Sequence, residues 1–221
     1  MLRLSVFKRL FSLGFPTALQ MLFEVAIFTA TVFLAGTLGT NPQAANQIAL
    51  NLASMTFMVA VGLGVTSTIR VGNQKGMGNF RHLRTVAISN FMLVFLIEAV
   101  FALGFILLKE LLPTIYIDNA EVIALAAQLL IVAALFQLSD GLQVVILGAL
   151  RGLQDVKIPS LICFIAYWII GFPISWILGR EENLGSMGIW FGLLAGLTAS
   201  ALMLYFRFDH LSKKLILQAE A

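Results

Sequence analysis

Residues 86–108 read VAISNFMLVFLIEAVFALGFILL, twenty-three positions carrying one charge, Glu98, with Arg84 before them and Lys109 after. A helix rises 1.5 Å per residue, so about 20 apolar residues cross a hydrocarbon core. This stretch is long enough, and it has the composition of a membrane span. Five further runs meet the same measure, so the spans fall at about 11–37, 45–69, 86–108, 121–149, 158–179 and 185–206. The first follows Lys8 and Arg9 in the manner of a signal peptide. It is too long for the apolar region of one and contains Pro16 and Glu24, so it reads as a span. The predicted fold is an all-α membrane protein, residues 1–221 forming one six-helix unit with 207–221 as a tail.

Composition agrees. Sixty per cent of residues are hydrophobic and 11% charged, against roughly 25% charged in a soluble domain; mean hydropathy is +0.96. Turn residues separate the runs: Gly39 to Pro42, Gly72 to Asn79, Pro113, Arg151 to Lys157, and Gly179 to Asn183. A net charge of +3 raises the question of nucleic acid. The cations, however, sit in short gaps between apolar runs and build no basic stripe, so no nucleic-acid partner is expected. One cysteine, Cys163, excludes a disulfide framework or a CxxC metal site. There is no Gly-Lys-Ser/Thr phosphate loop, HExxH or GxSxG. An enzyme is not expected, nor a cofactor.

Orientation follows from the distribution of Lys and Arg, which cytoplasmic loops retain. Alternating spans place Arg3, Lys8, Arg9, Arg70, Lys75, Arg81, Arg84, Arg151, Lys157, Arg207, Lys213 and Lys214 on one side, leaving only Lys109 and Arg180 on the other. Both termini are therefore expected in the cytoplasm of a multi-pass protein of the plasma membrane. Asp155, Asp209 and Glu220 fall on the same side.

Three acids remain within spans: Glu24, Glu98 and Asp140. An acid at mid-bilayer costs on the order of 2.5–3.5 kcal/mol on insertion scales, and such residues usually face water and serve ion traffic. Gln20 and Pro16 precede Glu24 by one and two turns, and Thr31 follows by two, which makes a polar stripe. Gln137 and Gln143 bracket Asp140 on its helix. Counted from Arg9 and Arg151, Glu24 and Asp140 lie at ~22 and ~16 Å of depth, close enough to share one cavity. Two carboxylates with amide oxygens form a hard-oxygen set for Na⁺ or a shared proton. The second span offers Gln47, Asn51, Ser54 and Met58 at helical spacing, for a cavity wall or for interhelical hydrogen bonds alike. Glu98 has no polar neighbour one turn away and reads as a locally held structural acid. Gly188, Gly192 and Gly196 recur every four residues, a face for close helix packing within the bundle.

Four stretches carry a family resemblance: Gly14-Phe-Pro16-Thr-Ala-Leu-Gln20 with Glu24; Ala45-Asn-Gln47-Ile-Ala-Leu-Asn51; Ser67-Thr-Ile-Arg70-Val-Gly72; and Gln137-Leu-Ser-Asp140 running into Gly148-Ala-Leu-Arg151-Gly-Leu-Gln-Asp155. Tyr167-Trp168 with Gly171 and Pro173, and Gly188-Ile-Trp190 with Gly192, extend it. The chain resembles the C-terminal half of multidrug and toxic compound extrusion (MATE) transporters, of the NorM-like branch. The resemblance implies an antiporter that exports organic cations against inward H⁺ or Na⁺. Glu24 and Asp140 would bind the coupling cation, as the ligands of Na⁺ if that is the ion. Gln20, Gln47, Asn51, Phe136 and Gln137 would line the cavity. Phe136 stands where Na⁺-binding relatives often place a tyrosine, so a hydroxyl ligand is missing there. Family members have two homologous six-helix lobes, whereas the runs here show no internal repeat. The chain is accordingly expected to be a fragment that works with a missing N-terminal lobe, or with a second copy. Two alternatives stay open: an orphan, non-transporting lobe that is a structural or regulatory subunit or an inactive fragment, and a lipid-linked-sugar flippase of the same superfamily. The flippase reading is disfavoured because no Lys or Arg lies within a span.

Overall fold

The computed structural model describes residues 4–220, with only the backbone of Glu220. Arg3 and the Glu220 carboxylate, both counted in the charge argument, lie outside the described side chains, as does Ala221. Among the described residues there is no strand. Six helices are long and apolar enough to cross a membrane: α1 (Leu4–Thr37), α2 (Thr40–Gly76), α3 (Phe80–Leu107), α4 (Ala120–Gly152), α5 (Lys157–Leu178) and α6 (Gly185–Glu220). Large apolar side chains such as Phe33, Val100 and Leu107 are exposed on the outside of the bundle. A surface of that kind is suited to lipid, since apolar side chains there lose nothing to water.

Several helices run past their apolar stretches, because a helix satisfies its own backbone in water as well as in lipid. The segment 207–220, set apart in the sequence as a tail, continues α6 as helix. It is fastened sideways: Arg207 Nε donates to Asp155 Oδ2 at 2.8 Å, and Arg84 bonds both Asp209 and Ser212. Lys213, one turn on, reaches Asp209 at 2.8 Å. Lys213 and Arg84 together hold the Asp209 carboxyl below its usual range. A depressed carboxyl stabilises above its unfolded value and loses that contribution as pH falls through the folded one. Fraying of this end of α6 is therefore expected only below about pH 4, and amide exchange across 207–219 measures it.

The connections follow local chemistry. Only Leu38 and Gly39 join α1 to α2, and Gly39 adopts φ 113°, which a side chain would resist. Asn79 and Asn119 cap α3 and α4, their side-chain oxygens accepting from the backbone N–H groups of His82 and of Glu121 and Val122. A 3-10 turn, Leu112–Ile115, lies between α3 and α4. Within α5 the sequence places Gly171 and Pro173; the structure has a π-helical segment, Ile165–Gly171, leading into them. Proline cannot donate to the preceding turn, and the wider π turns take up the misfit.

The centre of the bundle is α4, whose face toward α2 is built from small residues. A Cβ on Gly148 would overlap the Gly64 carbonyl oxygen, so the two backbones touch. Thr68 ties them, its hydroxyl donating to the Gly64 and Gly148 carbonyls at 3.0 and 2.9 Å. The Gly188, Gly192 and Gly196 face of α6 meets Leu178, Ser175 and Gly171 of α5 in its own bundle.

Candidate functional site

A cavity of about 750 Å³ is walled by α1, α2 and α4. Glu24 reaches it from α1, Gln47 and Asn51 from α2, and Phe136 and Asp140 from α4. Much of the remaining wall is apolar, including Phe28, Phe57 and Val144, with Met21 and Val25 largely exposed at its edge. Two carboxylates in a mostly apolar recess of this size suit a compact cation with hydrophobic substituents. Among the described residues no three His, Cys, Asp or Glu side chains gather at one point. Any ion here has two carboxylates and neutral oxygens to work with.

Each side chain has an identifiable mount. Gln20, 2% exposed, sits one turn below Glu24 and donates from Nε2 to Glu24 Oε2 at 2.7 Å. Asp140 is buried, and its Oδ1 has no hydrogen-bond partner among the described residues. Phe136 is clamped edge-on by Phe28 and Trp190, with ring centroids at 6.0 and 5.2 Å, and Trp190 Nε1 donates to Asn46 Oδ1 at 2.9 Å. Packing thus fixes the Phe136 ring at the wall. Asn51 accepts at Oδ1 from the Tyr116 hydroxyl at 2.8 Å.

Two of the residues read from the sequence stand outside the cavity wall. Gln20 lies behind it, in a small recess with Thr17, Pro159 and Ser160. Gln137 turns toward α2 and α3, accepting from Thr56 Oγ1 at 2.9 Å and donating to the Glu98 carbonyl at 3.4 Å. Glu98 itself is buried away from the cavity. Its chain packs where a Cβ on Gly141 would come within 2.7 Å of its Cγ, and neither carboxyl oxygen finds a partner among the described residues.

Two cavity residues escape the sequence reading. Tyr116 belongs to the α3–α4 connection, where hydropathy gives no reason to expect an inward reach. Arg151 is the more consequential. Arg151 lies just beyond the apolar run 121–149, in the last turn of α4, and it lines the cavity, so the wall carries a cation although none lies within the apolar runs. A signal existed: Arg151 follows Asp140 by eleven residues, close to three full turns, so the two share one face. Its guanidinium Nη2 donates to Gln20 Oε1.

An all-helical bundle of six membrane-length helices, with carboxylates on the wall of a recess, defines an integral membrane protein. Comparison with known proteins narrows this. The MatE family pattern matches residues 16–177, and the chain belongs to that family. It is 41% identical over 201 residues to the multidrug resistance protein MdtK of Proteus mirabilis, covering 89% of this chain and 44% of that protein. It is 39% identical to the multidrug resistance protein NorM of Photobacterium profundum, covering 90% and 44%. The chain spans about half the length of the curated relatives it matches. Among solved structures, a MATE in the bent conformation aligns at TM-score 0.90 with 16% identity, over 100% of this chain and 49% of that one. The eukaryotic MATE transporter AtDTX14 aligns at 0.85 with 20% identity, over 99% and 51%. These matches show the fold.

Proposed function

We propose that the chain is the second lobe of a cation-coupled antiporter that exports organic cations, with Glu24 and Asp140 as the carboxylates that take the coupling H⁺ or Na⁺. The observation that carries this reading is the meeting of two intramembrane acids, from α1 and α4, on the wall of one 750 Å³ cavity. Gln47 and Asn51 supply neutral oxygens on the same wall, and Phe136, Phe28 and Phe57 supply apolar surface for the substrate. The flippase alternative gains little from Arg151: it is a single cation already engaged by Gln20, and an anionic headgroup would need several. The test is ethidium efflux from drug-sensitive cells that express the chain together with a first lobe of the NorM type. Efflux that collapses with an uncoupler or on removal of Na⁺ supports the reading; no efflux favours the orphan lobe.

Both termini and the connections near 70–84 and 151–157 are cytoplasmic in this reading, which the twelve-to-two distribution of Lys and Arg supports. Reporter fusions at these positions are expected to report the cytoplasm, and one placed outside would reverse the orientation.

The lobe also needs a partner. Alone it would turn Glu24, Asn51 and Ser54 toward lipid, and unshielded polar groups there cost several kcal/mol. Expressed by itself, the chain is expected to confer no drug resistance and to run in detergent as an oligomer or aggregate. Light scattering corrected for detergent measures this. A stable monomer with ion-dependent efflux would place the transport path inside one lobe.

A further inference from the structure

Beyond the two acids, the cavity contains a feature that a cation-binding recess has no evident use for: a guanidinium. Arg151 lines the same wall as Glu24 and Asp140. It is linked to Glu24 through one buried amide. Arg151 Nη2 donates to Gln20 Oε1, and Gln20 Nε2 donates to Glu24 Oε2 at 2.7 Å. Gln20 is 2% exposed, so neither end of its amide has water as an alternative partner. Such a buried link is costly to leave half made.

The mount of Arg151 is fixed as well. The chain leaves α4 through Gln154, which adopts φ 60° and bonds Arg9 of α1 at 2.8 Å. Lys75 of α2 donates to the Leu153 carbonyl. The residues that follow Arg151 are thus held from α1 and α2, and its guanidinium is directed at Gln20 instead of extending into solvent as an arginine at a helix end commonly does.

We infer that Arg151 is the resident counter-ion of the cavity: acting through Gln20, it holds and balances the Glu24 carboxylate when no cation is bound, and an incoming cation binds in competition with it. The proposal rests on Glu24 being a cation-binding carboxylate. It adds what that reading lacks, an occupant for the unloaded state. A low-dielectric recess holds an unbalanced carboxylate only at a large desolvation cost, and a tethered cation removes that cost without itself being transported. Arg151 is a positioning residue in this scheme, and it sets the affinity of the site for cations.

The test is binding of tetraphenylphosphonium to the chain assembled with a first lobe of the NorM type and purified into lipid nanodiscs, with thermal unfolding followed on every variant. Arg151→Gln removes the competing charge and is expected to tighten binding on the order of tenfold, the size of effect a charge several Å away has in a medium of intermediate dielectric. Gln20→Leu cuts the link while leaving both charges, and is expected to tighten binding in the same direction by less. In a Glu24→Gln background, Arg151→Gln is expected to tighten binding by clearly less, since only the direct repulsion between guanidinium and probe is then relieved. Unchanged or weaker binding in Arg151→Gln overturns the proposal, as does equal tightening with Glu24 already neutral. Should Arg151→Gln fail to fold, Gln20→Leu decides, and no tightening there overturns it too. A different result defeats the underlying reading: Glu24→Gln and Asp140→Asn both binding the probe like the parent chain, whatever Arg151 does.

Discussion

Glu24→Gln and Asp140→Asn are each expected to abolish coupled efflux, a loss of at least about tenfold, once the chain is assembled with a partner lobe. Both replacements keep the shape of the side chain and remove its charge. The cavity wall around them is otherwise largely apolar, and among the described residues no third carboxylate lines it. The two acids also come from different helices, α1 and α4. Loss of either therefore removes half of the anionic set and leaves the other half in place. Glu98→Gln is the matched control, since Glu98 is buried against Gly141 and off the cavity; it is expected to be tolerated. Efflux is measured in proteoliposomes under an imposed proton or sodium gradient, at equal protein content. Normal rates in both cavity variants would remove Glu24 and Asp140 from the mechanism.

The largest structural effect is expected at the α2–α4 crossing. Gly148→Ala drives a methyl carbon into the Gly64 carbonyl oxygen, and backbone cannot rotate away as a side chain would. The helices must separate, which lengthens the Thr68 bonds to both carbonyls and opens the most closely packed contact of α4. Overpacking of this kind costs about 1–3 kcal/mol, and Gly148→Leu should prevent assembly altogether. Gly62 gives the contrast on α2. A Cβ there meets nothing within 4 Å, and alanine is favoured over glycine in a helix by roughly 0.5–1 kcal/mol. Gly62→Ala is thus expected to be neutral or stabilising. Thermal unfolding of the chain assembled with a partner lobe compares the pair, and equal midpoints would mean that the contact is looser than described.

Much of the architecture is legible in the residues because hydropathy and helix rise act along one dimension. The run 86–108 announces α3 without help from any other part of the chain. Glu24 stands out by the same logic, since an acid within twenty apolar residues needs a reason to be there. The small-residue spacing at Gly188, Gly192 and Gly196 likewise predicts close packing, and α5 supplies the partner.

What a one-dimensional pattern omits is the rotation of each helix about its axis and the identity of its neighbour. Gln137 and Asp140 are three residues apart on α4 and look equivalent as cavity residues. In the bundle, Asp140 faces the cavity while Gln137 faces Thr56 and the Glu98 carbonyl. Arg151 reads as a loop cation because it follows an apolar run, yet α4 continues through it and Gln20 draws it inward. Tyr116 reaches Asn51 from a connection whose path no periodicity encodes. The order of residues is enough to give six membrane-length helices and the acids they carry, because each of those follows from the cost of placing a residue in hydrocarbon; the helix ends do not follow, since α1, α2, α3 and α6 run on past their apolar stretches. Which polar side chains meet is settled by the packed bundle alone. That depends on how close the glycines of α2 and α4 let two backbones come, and on which face each helix then presents to the space between them.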